Sequence, residues 1–351
     1  MKFDYDNVYI TGSNGWLGKK LIESFFIEDS ECIVFKKKDS LKVNCLITPD
    51  ESDNFIKSIS KDIRVLAGDI VNKDDCYDFL EASTGDNILI HAAGLIHPKK
   101  VQDFFKVNLE GTKNIVNEAL NKKFKKIIVV SSNSPCGCNK NNTESFNEKS
   151  PYNPYMNYGK SKMLMENFLN KKILDGHDIT IIRPPWFYGE NMPERQITFY
   201  NMIISGKFPF VGDGKNVRSI ANVKNIVQGI ILSAIINKSK GQTYWIADKD
   251  NLSMNQIVKT IQEVFTNEFD IKCKKNNIYL PHFVGQIAEL IDYTLQKLGL
   301  YHQKFHVLSE MNKNIACDIK KAEDELGYMP KISLYQGTKI AYEKYLKSNG
   351  S

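Results

Sequence analysis

The chain of 351 residues lacks any apolar run of about 18 residues, the length a membrane-spanning helix needs, so no span is expected. Met1 to Tyr5 is not followed by the apolar core of a signal peptide, which points to a cytoplasmic protein. The seven cysteines (Cys32, Cys45, Cys76, Cys136, Cys138, Cys273, Cys317) are odd in number and dispersed. That excludes a disulfide framework and fits reduced thiols. Cys136-Gly137-Cys138 has no His or Cys pair nearby to complete a ligand set, so no metal is expected. The net charge of +6 comes from scattered lysines, densest at Lys36 to Lys38 and Lys122 to Lys126. No basic stripe with interleaved aromatics forms, which excludes a nucleic-acid partner. Repeats and low-complexity tracts are missing too. The 42% hydrophobic and 25% charged composition is ordinary, with enough chain for the core of one large domain or two unequal ones.

The first strong signal is at the N-terminus. Asn7 to Thr11 is a short apolar run of buried-strand type. Thr11-Gly12-Ser13-Asn14-Gly15-Trp16-Leu17-Gly18 follows, and then an amphipathic run from Lys19 to Ile27. Strand, glycine turn and helix is the context of a dinucleotide site. Gly12 permits the tight turn, Gly15 lets the backbone approach a pyrophosphate at the helix N-terminus, and Gly18 lets helix and strand pack closely. Asn14, Trp16 and Leu17 belong to the same cofactor-binding turn. A second strand is expected at Glu31 to Phe35. Its end selects the cofactor: an acid accepts from the ribose hydroxyls, whereas a base accommodates a 2′-phosphate. Lys36-Lys37-Lys38 follows, so NADP is favoured over NAD, with Lys36 as the contact.

Further strands are expected at Ile63 to Ala67, Asn87 to Ile90, Ile127 to Ser132 and Ile179 to Arg183. Helical patterns separate them, and the alternation predicts a right-handed, doubly wound parallel sheet. Asp69 and Ile70, after the third strand, are cofactor candidates, Asp69 either for the adenine end or as a cap of the helix that starts near Lys73. Ala92, Ala93 and Gly94 leave room for a ligand beyond the fourth. His91 is read as structural, and His97 as a weaker substrate-loop candidate. Asn108, beside Gly111 inside a helix expected over Val101 to Leu120, marks a distortion or a buried polar contact. Beyond the sixth strand the composition becomes loop-rich. Val223 to Ile236 reads as helix, Gln242 to Ala247 as strand, and the tail from Ser253 as mostly helical. Phe283 to Leu298 carries apolar residues on a helical period. A packing helix is the default reading, and a dimer or membrane-surface face the alternative.

Tyr158 and Lys162 stand four apart at the start of a helical run, on one face. A phenol with a free pKa of about 10 is a poor base at neutral pH, and a nearby cation lowers that value. Taken with the glycine turn, Ser131-Ser132 after the fifth strand and Arg183-Pro184 after the sixth, the order of motifs resembles the extended short-chain dehydrogenase/reductase superfamily. The nearest pattern is its NAD-dependent epimerase/dehydratase family. The resemblance covers nearly the whole chain, down to Gly212 to Arg218, Val223 with Asn225, and a closing Ala322-Glu323-Asp324-Glu325-Leu326-Gly327-Tyr328-Met329-Pro330. It implies a Rossmann fold over 1–185, completed by about 219–247, with a smaller, mostly helical substrate region from 186–218 and 248–351.

By position, the resemblance makes Ser132 the donor to the substrate oxygen and Tyr158 the general acid/base. Lys162 binds the nicotinamide ribose and lowers the Tyr158 pKa, and Asn108 supports the site. It places Pro184 near the nicotinamide. Asn133, Pro185, Tyr188 and Arg218 fall at the substrate, with Arg218 suited to a diphosphate. The family's dehydratases place acids directly after the strand-five hydroxyl. Asn133 and Ser134 stand there in this chain, which disfavours dehydration. The expectation is an NAD(P)-dependent oxidoreductase or epimerase acting on a small molecule, a nucleotide sugar first. The alternatives are an NADP-dependent reductase of a steroid-like or dihydroflavonol-like ketone, and a non-catalytic NADP sensor. The resemblance leaves a helix-mediated homodimer open.

Overall fold

A computed structural model describes residues 1–29, 31–81, 84–274 and 277–349. In chain order its main elements begin with β1 (Asn7–Thr11), α1 (Trp16–Phe26), β2 (Lys42–Ile47), β3 (Arg64–Ala67) and β4 (Asn87–His91). They continue with α2 (Thr112–Asn121), β5 (Lys126–Val130), α3 (Met156–Leu174), β6 (Ile179–Arg183) and α4 (Glu194–Ile204). The last are α5 (Val223–Ile235), β7 (Thr243–Trp245), α6 (Met254–Phe269), α7 (His282–Lys297) and α8 (Gln303–Glu310). The seven strands form one parallel sheet in the order β7-β6-β5-β4-β1-β2-β3. Every residue of β1, β4, β5 and β6 is buried. This is why these strands are near-continuous apolar runs: helices cover both faces of a parallel sheet. One core cluster gathers Val8, Ile10, Leu21 and Ile230 on one face, and another gathers Tyr9, Leu89, Ile115 and Met165 on the other.

The strand order reverses between β1 and β4, and there the carboxyl ends open a crevice. A third core cluster, with Phe199, Phe208, Phe210, Ile257 and Phe265, organises the segments that follow β6. Trp186–Tyr188 pairs in parallel with Ile220–Asn222 to link the two parts. Among the described residues no helix is long and apolar enough to cross a membrane.

Two expectations need correction. The second strand is not at 31–35. Cys32 and Ile33 are buried, but Val34 is exposed, and the Phe35 ring packs against Phe3 and Phe25 at 5.7 and 5.8 Å. The segment therefore fills the sheet's flank as a hydrophobic cluster. The strand is Lys42–Ile47, where Asn44 interrupts the apolar run and hides the pattern. Its buried amide is satisfied by the Val8 carbonyl at 3.3 Å. Lys36 lies instead on a short exposed strand paired with Lys2–Phe3, away from the strand end that would meet a cofactor. The helix from Val101 is also not continuous: Phe105–Gly111 widens into a π turn before α2 begins.

α3 is fastened to the sheet from below. Glu166 on α3 is fully buried, and its carboxylate accepts from Arg183 on β6 (Nη2 at 2.5 Å), from Ser131 Oγ at 2.5 Å and from Tyr152 OH at 2.7 Å. Removing one partner of a buried pair strands the other charge, at a cost of about 3–5 kcal/mol. Glu166→Ala is expected to lose that much in urea unfolding. Glu166→Gln combined with Arg183→Met should lose clearly less than the sum of the two single changes.

Candidate functional site

The glycine turn is built for close backbone approach. Gly12 has φ +70, and a Cβ there would stand 2.7 Å from the Ala93 nitrogen. A Cβ on Gly18 would stand 2.1 Å from the Gly12 oxygen. Only glycine satisfies either position, so α1 starts against the ends of β1 and β4 with its N-terminal amides facing the crevice. The Asn14 amide donates to the Ser52 carbonyl at 2.7 Å and closes the turn against the loop after β2.

A hydrogen-bond relay runs beneath the crevice. Ala93 N–H donates to Thr11 Oγ1 (3.3 Å), which meets His91 Nδ1 at 2.7 Å. His91 Nε2 meets Thr112 Oγ1 at 2.9 Å, and Thr112 donates to the Asn108 carbonyl at 2.7 Å. Burial pushes His91 down to about 3, so it is neutral, and the neighbours assign Nε2–H as donor and Nδ1 as acceptor. His91 is structural, as expected. Asn108 sits in the π turn, fully buried. Its Oδ1 accepts from Leu95 N–H (2.8 Å), and its amide donates to the Leu95 carbonyl (3.0 Å) and to Ser161 Oγ (3.2 Å). It thus sews the loop after β4 to α3.

Ser132, Tyr158 and Lys162 come together at the mouth of this crevice. A Cβ on Gly159 would lie 2.6 Å from the Ser134 carbonyl, so α3 rests directly on the loop after β5. That contact brings the Ser132 hydroxyl to the Tyr158 phenol. Phe104 packs against the Tyr158 ring at 5.7 Å. Lys162 Nζ donates to the Val130 carbonyl at 3.2 Å, and a Cβ on Gly94 would lie 3.2 Å from it. The space over Gly94 therefore opens onto the ammonium. Burial pushes Tyr158 up to about 12, against the pull of Ser132 and the positive charge of Arg195. Burial also lowers Lys162 to about 8, opposed by the nearby Glu166 carboxylate. The expected lowering of Tyr158 by Lys162 is corrected here: the ammonium is directed at Val130, and the cation acting on the phenol is Arg195.

The model of the NAD dependent epimerase/dehydratase family matches residues 8–247. The chain belongs to that family. It is an NAD(P)-dependent enzyme with the extended short-chain dehydrogenase/reductase fold. The uncharacterized protein y4nL of Sinorhizobium fredii is 39% identical over 98% of this chain and 96% of its own length. N-acetyl-alpha-D-glucosaminyl-diphospho-ditrans,octacis-undecaprenol 4-epimerase of Escherichia coli is 28% identical over 81% of this chain and 78% of its own. Sterol-4-alpha-carboxylate 3-dehydrogenase, decarboxylating, of Dictyostelium discoideum is 26% identical over 94% and 98%. In fold, the chain is similar to UDP-glucuronic acid 4-epimerase from Bacillus cereus in complex with NAD. The TM-score is 0.73 at 18% identity, covering 97% of this chain and 99% of that one.

For this family member, the other expected positions divide. Leu17 is buried core. Trp16 donates its indole N–H to the Glu190 carbonyl at 2.5 Å and forms one wall of the crevice with Phe187. Ala92, Ala93 and Gly94 line the crevice floor. Asp69 is exposed beyond β3, one carboxylate oxygen accepting from Val71 N–H at 2.9 Å. Ile70 is buried against Gly111 rather than open to a ligand. Pro184 and Pro185 are buried after β6, while Asn133 is half-buried beside Ser132. Tyr188 is not at an open site: its buried hydroxyl donates to Asp248 Oδ2 at 2.6 Å. Arg218 is half-buried and donates to the Glu310 carbonyl.

Burial raises the Cys136 thiol to about 11 and the Cys138 thiol to about 12, leaving both poorly reactive. Among the described residues no cluster fit for a metal occurs. Sequence reasoning missed Arg195, at the start of α4, which stands 5.8 Å over the Trp16 ring and acts on Tyr158. It also missed Tyr301, whose hydroxyl meets His97 Nδ1 at 2.8 Å and whose ring meets Phe104 at 5.2 Å. A single Arg at a helix start carries no signal of direction, and Tyr301 is brought in by tertiary packing alone.

Two outcomes follow from this geometry. Gly159→Ala separates α3 from the loop holding Ser132. It should cut kcat by more than about tenfold, since small misplacements are costly in catalysis, while circular dichroism stays native. Lys162 is depressed, so charging it costs the folded state free energy in full below about pH 8, and the cost fades as pH rises toward 10.5. Lys162→Met should therefore match or exceed the parent's melting temperature at pH 7, with the difference shrinking above pH 8.

Proposed function

We propose that the protein interconverts a secondary hydroxyl and a carbonyl on a sugar joined to a diphosphate, as an epimerase or reductase using a nicotinamide dinucleotide. The observation that carries this reading is the meeting of Ser132 with Tyr158 on the helix whose Lys162 faces Gly94, next to the glycine turn. The residues fit such a cofactor: Gly12 and Gly94 leave the room a side chain would fill, α1 offers its amide end, and Lys162 faces the space over Gly94. When bound, the nicotinamide would supply the hydride acceptor and donor. Ser132 donates a hydrogen bond to the substrate oxygen. Tyr158, protonated at neutral pH, hands its proton to that oxygen as a carbonyl is reduced and recovers it in the reverse direction. Lys162, mostly charged below about pH 8, holds ribose hydroxyls and keeps the local potential positive. Asn133 and Ser134 beside Ser132 offer no acid or base for elimination, which supports epimerisation or simple redox chemistry over dehydration.

Arg195, exposed and without an ion pair among the described contacts, supports an anionic substrate such as a diphosphate. Relatives named for UDP-glucose and for a polyprenol-diphospho sugar point the same way. A second reading, an apolar ketone, is favoured by Arg218 being engaged with a carbonyl and by the sterol-dehydrogenase relatives. The preference for NADP rested on Lys36, which is remote from the end of β2. Thr48-Pro49-Asp50-Glu51 follows that strand instead, and acids there favour NAD. All seven cysteines are unpaired, which supports a reducing compartment.

Tyr158→Phe is expected to lose at least about a hundredfold in kcat with nucleotide sugars. Arg195→Ala should raise KM about tenfold or more and, by removing the positive charge that favours the phenolate, should shift the pH dependence of kcat upward. Unchanged KM in Arg195→Ala, together with turnover of apolar ketones, would favour the second reading. Fluorescence titration should show NADH binding more tightly than NADPH.

A further inference from the structure

α7 is amphipathic in the reverse of the usual sense. At 100° per residue, its buried stripe is Gly285, Ala288, Asp292 and Gln296, while Phe283, Ile287, Leu290 and Leu298 form the opposite, exposed stripe. Their exposures run from 51% to 72%, against the expectation that an amphipathic surface helix turns its apolar stripe inward. More than half of the strongly exposed large apolar side chains among the described residues lie between Ile278 and Val307. The inner stripe is polar because it is bonded. Gln296 Oε1 accepts from the Asn157 backbone N–H at 3.0 Å and from its side chain at 2.9 Å, at the start of α3. Gln296 in turn donates to Asp292 at 2.9 Å, and Asp292 meets His306 Nδ1 at 2.8 Å. These contacts fix the outer stripe's orientation.

The charges around the stripe are of one sign at its C-terminal end. Lys297 and Lys304 flank Leu298 and Leu300, and Lys99 and Lys100 join them through the Lys100–Leu300 bridge. All four are exposed and make no salt bridge among the described contacts. An apolar stripe about 24 Å long, with aromatics and a lysine rim, has the composition of an interfacial helix. The same hairpin continues inward as Tyr301, which walls the pocket of Tyr158 through Phe104. The apolar stripe is thus adjacent to the candidate substrate mouth.

We propose that the α7–α8 hairpin docks on an anionic lipid bilayer, its apolar stripe in the headgroup region and its lysines on acidic headgroups. It would then present the site to substrates that carry a lipid chain. Docking rests only on the hairpin's surface. The nature of the substrate rests on the functional reading above, and the two can fail separately.

The test is sedimentation of the full chain with phosphatidylcholine vesicles, with and without phosphatidylglycerol. The protein is expected to pellet with the acidic vesicles and to be released by salt. Ile287→Glu with Leu290→Glu should lower the partition coefficient at least tenfold. Lys99→Gln with Lys297→Gln should lower it by about fivefold per lysine, without touching the apolar stripe. Turnover of a water-soluble substrate and the melting temperature should be unchanged in both. Wild-type protein remaining in the supernatant with both vesicle types overturns the proposal. So does light scattering that shows a dimer which Leu290→Glu dissociates, because a second copy then covers the stripe. If vesicles bind but no sugar turns over, docking stands and the functional reading falls.

Discussion

The arrangement of the site depends on one buried carboxylate. Glu166 lies on the helix that carries Tyr158 and Lys162, and it collects Arg183 from β6, Ser131 from the end of β5 and Tyr152 from the preceding loop. Three separate segments are referenced to one side chain. The neighbour of Ser131 is Ser132, so the same contact that anchors α3 also places the hydroxyl opposite the phenol. The carboxylate further opposes the loss of charge at Lys162. Without it, burial would neutralise the ammonium more strongly, and the bond from Lys162 to the Val130 carbonyl would be left to tie the helix to the sheet.

A second network does for the glycine turn what Glu166 does for α3. Neutral His91 joins the end of β1 to the π turn through two threonine hydroxyls. Asn108 passes the connection on to the loop after β4 and to α3. These groups are fully buried and fully bonded, which is the condition under which a polar interior is rigid. The glycine turn and α3 are thereby positioned by one continuous set of hydrogen bonds. Neither depends on the conformation of an exposed loop.

Much of this was legible in the chain. Gly12 and Gly18 announce the turn because only glycine permits the observed contacts, and Gly15 completes the spacing. Tyr158 with Lys162 and Ser132 is found by spacing and by order. His91 reads as structural and is bonded in the interior, and Asn108, which reads as a distortion or a buried polar contact, is both. The failures have physical causes. Asn44 breaks the apolar run of β2, because its amide is satisfied by a neighbouring strand that the local sequence does not show. Cys32 to Phe35 looks like a strand because a hydrophobic filler and a strand have the same composition. Tyr188 was assigned to the substrate, but its hydroxyl is held by Asp248, more than fifty residues away. Arg195 and Tyr301 reach the site only through packing between distant segments.

The π turn at Phe105–Gly111 has an implication for how the chain can change length. Such a turn holds one residue more than an α turn would, and the elements on either side are phased to that surplus. Deleting any one residue between Phe105 and Gly111 would remove that surplus and restore regular α geometry, with α2 staying close to its present phase. What would be lost is the widened turn itself, which carries Asn108 and its bonds to Leu95 and Ser161. The length of this segment is as much a part of the site as the side chains on it.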